Sequence, residues 1–360
     1  MSEQFKSPLE ELIYLRRYLH INPELSFQEF NTQKFILNFV KDFKCEINVI
    51  KTGIMLYFDL KKEKIIGLRS EMDALPILEK TNVSYISKNK GVMHACGHDA
   101  HMALLLLVSK YINENYDKLN NNYLIVFQPS EEVSGGSKLI INSSFFNYHL
   151  PKYMISLHVY PTLKRNQIYY KSGSFLPMCT EIDIIVHGKS THVSNLKNGI
   201  DANKIGVYIM KDLYNYFEKI PQTKFLIGVI EGGKQRNIVS DNLKIKITLR
   251  NFNYNQYLKQ KKKIIDLVNK YNQDIDIKFN DEIIPINNNV ELIKLVKNKY
   301  KIYLTNKKMI GDDFSLYQTK CKIGYFLLGI KSSFLHENDF FFNEEELIKG
   351  YDFLINILNI

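Results

Sequence analysis

Met93-His94-Ala95-Cys96-Gly97-His98-Asp99-Ala100-His101 crowds a thiol, a carboxylate and three imidazoles into one short stretch. Cys96 and His98 flank a glycine, and a sharp turn there lets a thiolate and a ring nitrogen converge on one metal ion. Two donors make only part of a site. The chain offers further candidates after strand-like runs: Glu131 and Glu132 follow Tyr123 to Gln128, His158 follows Tyr153 to Leu157, and His336 follows a short apolar run ending at Leu335. Donors at strand ends suit an open α/β sheet, which gathers ligands at its carboxyl edge.

The surrounding pattern fits that sheet. Ile65-Ile66-Gly67-Leu68 is a continuous apolar run, as expected of a strand buried on both faces, and it leads into Arg69-Ser70-Glu71-Met72-Asp73. Glu71 and Asp73 are therefore expected to support the metal turn. Ala103 to Val108 is apolar all round and predicts a buried helix starting near His98 or Asp99. Further upstream, Ser7-Pro8-Leu9-Glu10 combines an N-cap, a proline in the first turn and a capping-box glutamate, so a helix carries Leu12, Leu15 and Leu19 and stops before Asn22-Pro23. Ser26 and Glu29 predict a second capping box. Alternation at Ile47 and Val49, then at Ile54, Leu56 and Phe58, predicts two strands joined at Lys51-Thr52-Gly53.

Near residue 176 the texture changes. Strands alternate cleanly over Glu181 to Val186, Phe225 to Ile230, Leu243 to Leu249 and Ile275 to Phe279, with a helix near Asp201 to Phe217, which predicts an antiparallel sheet with one wet face. Because His336 lies far beyond this segment, residues 176–283 are expected to form an inserted α+β domain. Residues 1–175 and 284–360 then form the metal-binding α/β domain, with a mixed central sheet flanked by helices.

A chain of 360 residues, 45% of them hydrophobic, is long enough for two domains with proper cores. Its four cysteines follow no framework spacing, which leaves Cys96 available as a reduced ligand. The net charge of +10 comes from dispersed lysines rather than one dense block, so nucleic-acid binding is not expected. The first residues lack an apolar signal core, and no apolar run approaches the roughly 20 residues that span a bilayer. A cytoplasmic location away from membranes is the expectation.

Seven segments, in order along the chain, resemble one family: Leu15 to His20 with Asn22 to Ser26; Arg69 to Pro76; Met93 to His101; Phe127 to Glu132; Leu157 to Val159; Gly232-Gly233 with Asn237; and Leu335-His336 with Phe342-Asn343. The chain is similar to the dinuclear-metal amidohydrolases related to aminoacylase and carboxypeptidase G. Within them it resembles the branch of hippurate hydrolase, auxin-conjugate hydrolases and N-acetyldiaminopimelate deacetylase. The resemblance implies two divalent ions per subunit, zinc or manganese, held by Cys96 in the bridging position, His98, Glu132, His158 and His336. It makes Glu131 the general base and places Asp73 in the catalytic apparatus. It implies a homodimer in which the inserted domain is a dimerisation and lid element and His192 reaches into a partner's site. Asn237 and Arg250 resemble residues that recognise the substrate carboxylate.

The expected reaction is hydrolysis of an N-acyl amino acid, with N-acetyl-L,L-diaminopimelate of lysine biosynthesis preferred as substrate. Hippurate, other aromatic N-acyl amino acids and dipeptides are the alternatives, and a non-catalytic metal-containing binding protein is the rival of another class. The chain departs from the family pattern at Glu71, where Asp is usual, and at Asp312, where Glu is usual. It departs again at Ser190-Thr191 and Leu196-Lys197, on either side of His192. Read without the resemblance, His192 also fits a surface loop, and Arg250 equally fits a salt-bridge partner on an antiparallel strand. His94 and His101 are expected to pack or to support ligands, and His20 to be structural.

Overall fold

The computed structural model describes residues 5–360. Its strands are β1 (Glu46–Ile50), β2 (Gly53–Phe58), β3 (Ile65–Glu71), β4 (Asn122–Gln128), β5 (Tyr153–Tyr160), β6 (Ile168–Tyr170), β7 (Gly173–Leu176), β8 (Met178–His187), β9 (Lys224–Gly232), β10 (Asn242–Asn251), β11 (Ile275–Ile283), β12 (Ile286–Asn288), β13 (Tyr303–Leu304) and β14 (Lys322–Gly329). The chain separates into two compact units. One runs to Gly173 and resumes over Asn287–Asn306 and Asp313–Ile360; the other comprises Ser174–Ile286 and Lys307–Asp312.

The first unit is built on a mixed sheet in the order β1-β2-β4-β3-β5-β14-β6-β13. β3, β4, β5 and β14 run parallel through its centre, while β2 runs antiparallel to β4. Every residue of β4 and β5 is buried, which explains why these strands read as unbroken apolar runs. β2 is buried throughout as well, although its sequence alternates. Helices α1 (Pro8–Ile21), α2 (Phe30–Val40) and α3 (His98–Glu114) belong to the same unit. The α3 helix is buried along most of its length, as its all-round apolar sequence requires.

Ser7 caps α1 by accepting the Glu10 amide at 3.2 Å, but the Glu10 carboxylate reaches the Lys6 amide at 2.7 Å instead of closing a capping box. The box expected at Ser26 does not form. Helix α2 starts at Phe30 without a side-chain cap, and the Ser26 hydroxyl donates to Asp73 at 2.6 Å. The hydroxyl that a capping box would use to accept the Glu29 amide is instead committed as a donor to a buried carboxylate, a charge-assisted bond.

The second unit holds a four-stranded antiparallel sheet in the order β11-β8-β10-β9. Ile182, Ile184, Val186, Leu243, Ile245, Ile247 and Leu249 form its dry face with Ile209, Leu213 and Phe217 of the helix Ala202–Phe217. β9 lies at one edge, opposite β11, and leaves Leu226 and Ile230 exposed. The chain returns to this unit at Lys307–Asp312, where the Lys308 amide donates to the Phe175 carbonyl at 3.2 Å and Gly311 lies close against Cys179. Among the described residues no helix is long and apolar enough to cross a membrane.

Candidate metal centre

The sheet brings the sequence's donor candidates to one edge. β3, β4 and β5 are parallel and in register, so the residues that close them meet: Asp73 after β3, the Glu131-Glu132 turn after β4, and His158 near the end of β5. Gly97 supplies the expected sharp turn, with φ +87°, and a Cβ there would meet Val159 Cγ2 at 2.4 Å. The turn sets His98 as the first residue of α3.

Distances tie the five candidates together. Cys96 Sγ lies 3.5 Å from His158 Nε2. His98 Nε2 lies 3.9 Å from one Glu132 oxygen, and His336 Nε2 lies 3.5 Å from the other. Donor atoms of Cys96, His98 and Glu132 all fall within 4.8 Å of one another. His336 has a half-exposed side chain and a left-handed backbone, φ +67°, steadied by its amide on the Ala95 carbonyl at 2.9 Å.

Two of the rings have their tautomers fixed from behind. His98 Nδ1 donates to the Asp73 backbone carbonyl at 2.8 Å, closer than the Asp73 carboxylate at 3.6 Å, and its Nε2 is buried with no hydrogen-bond partner. His158 Nδ1 donates to the Val159 carbonyl at 2.6 Å, which turns its Nε2 towards Cys96. This is how metal-binding imidazoles are oriented, with one nitrogen anchored and the other presented. Electrostatics separate the two rings. Burial pulls both towards neutrality, but the Asp73, Glu71 and Glu132 carboxylates overcome it at His98 and raise that ring to about 10. At His158 burial, reinforced by His101, wins and holds the ring well below the ordinary histidine value. A mixed thiolate, imidazole and carboxylate set around an orphaned buried nitrogen fits a zinc-like divalent ion.

Asp73 holds the turn that carries both glutamates. Its two carboxylate oxygens accept the Glu131 amide at 3.0 Å and the Glu132 amide at 2.9 Å. Glu132 faces His98 and His336, whereas a Glu131 oxygen comes within 4.8 Å of one from Asp313.

Sequence reasoning anticipated Glu71 and His101 as supports but missed the buried chain that joins them to Arg69, Gln128 and Asp313. Arg69 donates to Glu71, to Gln128 Oε1 at 3.0 Å and to Asp313 Oδ1 at 2.9 Å. Glu71 accepts His101 Nδ1–H at 2.9 Å, and His101 Nε2 in turn accepts the Val159 amide at 2.9 Å. Burial alone would raise the Glu71 carboxyl, but Arg69 and His101 hold it well below the usual range. The signal was available: Arg69 and Glu71 lie two apart on a strand, hence on one face, at the end of an apolar run. His101 thus supports the site, and His94, fully buried, is pushed down to about 3 and stays neutral. His20 bonds Asp99 at 2.8 Å and Glu79 at 3.2 Å, which fastens α1 to the metal turn.

The remaining predicted residues lie in the second unit. His192 Nδ1 is 2.8 Å from the Ser194 hydroxyl, and Asn237 Nδ2 is 3.4 Å from His192 Nε2, both on exposed segments. The Arg250 guanidinium donates to the Met309 carbonyl.

The profile of peptidase family M20/M25/M40 matches residues 67–360. The chain belongs to that family. An N-acetyldiaminopimelate deacetylase of Lactobacillus helveticus is 31% identical to this M20 chain, over 97% of it and 98% of the relative. The YXEP protein of Bacillus subtilis, a dinuclear metal binding peptidase from the M20 family, is 25% identical and superposes with a TM-score of 0.85 over 98% of each chain. A solved structure from methicillin resistant Staphylococcus aureus reaches a TM-score of 0.91 at 28% identity, over 98% of this chain and 96% of its own. The α/β architecture expected from sequence is therefore the M20 fold, and the protein is an M20-family hydrolase.

Proposed function

We propose that this M20 hydrolase deacylates an N-acyl amino acid, with N-acetyl-L,L-diaminopimelate as the preferred substrate. The observation that carries the chemistry is the pairing of Asp73 with two successive amides. It gives Glu132 to the donor cluster and leaves the neighbouring Glu131 outside it. Substrate choice is supported by near full-length similarity to relatives named N-acetyldiaminopimelate deacetylase.

In this reading Cys96, His98, Glu132, His158 and His336 hold two divalent ions, zinc or manganese. Such a pair, when bound, polarises the amide carbonyl and acidifies the attacking water. Glu131 accepts the proton of that water and returns it to the leaving nitrogen, so one carboxylate serves both halves of the reaction. Asp73 and the Asp73 carbonyl keep the glutamate turn and the His98 ring in register with each other. We further propose a homodimer whose 174–286 unit supplies His192 to the partner subunit as a donor to the developing oxyanion, with Asn237 and Arg250 receiving the substrate carboxylate.

Glu131→Gln is expected to keep its metal content and lose about a hundredfold to ten-thousandfold in kcat, the usual contribution of a general acid–base group. Retained turnover would refute the assignment. A panel of N-acetyl-L,L-diaminopimelate, hippurate and dipeptides tests the substrate, and brisk hippurate cleavage with no deacetylation would overturn the preference. Mixing His192→Ala with Glu131→Gln chains should restore activity through hybrid dimers, and no restoration counts against the shared site.

A further inference from the structure

The glutamate turn is held from a second side. Ser130, immediately before Glu131, donates its amide to Glu29 Oε1 at 2.9 Å, and the other Glu29 oxygen accepts the Thr52 hydroxyl at 2.5 Å. Glu29, Thr52 and Ser130 are all buried. With Asp73 on the next two amides, three consecutive N–H groups are fixed by two buried carboxylates. Ser130 is also left-handed, with φ +49°, a backbone state that a serine keeps only when its surroundings over-determine it.

The sequence places Glu29 and Thr52 there from separate elements. Glu29 precedes α2, and Thr52 lies in the hairpin loop between β1 and β2. Since β2 runs antiparallel to β4, with Ile54 opposite Phe127, that loop lands beside Pro129-Ser130. The approach is close enough that a Cβ on Gly53 would meet Pro129 Cδ at 2.7 Å. On the other side a Cβ on Gly136 would overlap the Pro129 carbonyl oxygen. Pro129 is therefore closely packed on both sides, next to the Ser130 amide that Glu29 holds.

We infer that Glu29 and Thr52 form a positioning pair that sets the backbone angle at Ser130 and so aims the Glu131 carboxylate. This rests on the reading of Glu131 as the base. Small misplacements of a reacting group are costly: about 1 Å can remove about a hundredfold in rate.

The test uses full-length Glu29→Ala, Glu29→Gln, Thr52→Val and Glu131→Gln. For each, metal stoichiometry, hydrogen exchange of a peptide covering Ser130 to Glu132, and kcat and KM on N-acetyl-L,L-diaminopimelate, or on hippurate if that is the compound turned over, are measured. Glu29→Ala should lower kcat about tenfold to a hundredfold, with KM within about twofold, unchanged metal content and faster exchange in the peptide. Glu29→Gln should recover kcat to within about threefold, because its amide oxygen accepts from Ser130 and its NH2 group donates to the Thr52 oxygen. Thr52→Val should lie between, and carries the test by itself if Glu29→Ala does not fold. An unchanged kcat in Glu29→Ala, no recovery in Glu29→Gln, or a loss that follows metal content overturns the pair. Full activity in Glu131→Gln overturns the base assignment and this inference with it, whereas a dead Glu131→Gln beside a fully active Glu29→Ala overturns the pair alone.

Discussion

The two sheets solve opposite problems with the same element. β4 of the first unit is buried at all seven positions, while β8 of the second alternates between buried and partly exposed along its ten. At the carboxyl edge of the first sheet, dry polar side chains are held by fixed partners: Arg69 by Glu71, His101 by Val159, Asp73 by the glutamate turn. In the second, His192 and Asn237 sit on exposed segments with weaker, local partners. Charged chemistry needs a rigid, water-poor frame so that donor geometry survives without reorganisation. A wet antiparallel sheet leaves polar groups adaptable.

The largest expected difference is between two arginines. Arg69→Met removes the buried cation that pairs with Glu71 and Asp313 and should cost about 3–5 kcal/mol, whereas Arg250→Met removes a bond to one carbonyl and should cost about 1 kcal/mol. Urea unfolding of both variants checks the contrast, and equal losses would break it.

Isoleucine truncation should follow the same divide. Ile125→Ala, at the centre of β4 with no exposed surface, is expected to cost about 2–5 kcal/mol, and Ile230→Ala, 57% exposed on β9, within about 0.5 kcal/mol.

A third contrast is in pH. His20 is buried, which lowers its pKa, but Asp99 and Glu79 more than reverse that and raise it from 6.5 to about 9. Its stabilisation is therefore complete below pH 6.5 and lost as pH rises through about 9, an amount on the order of 3 kcal/mol. Thermal melts from pH 6 to 10 should show this fall, and His20→Gln should flatten it. His187, raised by its hydrogen bond to Asp276 on the open surface, should add no comparable slope.

The smallest effect is expected at glycines. Gly228→Ala on β9 meets no atom within 4 Å and should be neutral or stabilising by less than about 1 kcal/mol, while Gly97→Ala, at φ +87° against Val159, should be destabilising and weaken metal binding. Melting curves and metal titration of the two proteins separate these outcomes.

Much of this was readable beforehand, and the reason differs by residue. Cys96, His98, Glu132, His158 and His336 were legible as candidate donors because their types and, for the last three, their places after apolar runs are one-dimensional facts. Helix α3 was legible for the same reason. The capping box expected at Ser26 does not form, and local spacing cannot reveal that the Asp73 carboxylate, just beyond β3, takes the hydroxyl. Glu29 was misread with it: its carboxylate faces Ser130, 101 positions away, and no periodicity encodes that pairing.

The sequence by itself determined the alternation of elements, the change of texture near residue 176 and the candidate donors, since these depend on residue type and short-range period. Only the tertiary structure decided which nitrogen each imidazole presents, which carboxylates hold the Ser130–Glu132 amides, and that Arg69 is locked between Glu71 and Asp313. Most of those choices are set by hydrogen bonds between segments tens to hundreds of residues apart, as from His98 to Asp73, Ser130 to Glu29 and Arg69 to Asp313. Their energies depend on burial and geometry, and neither exists until the sheet has closed around them.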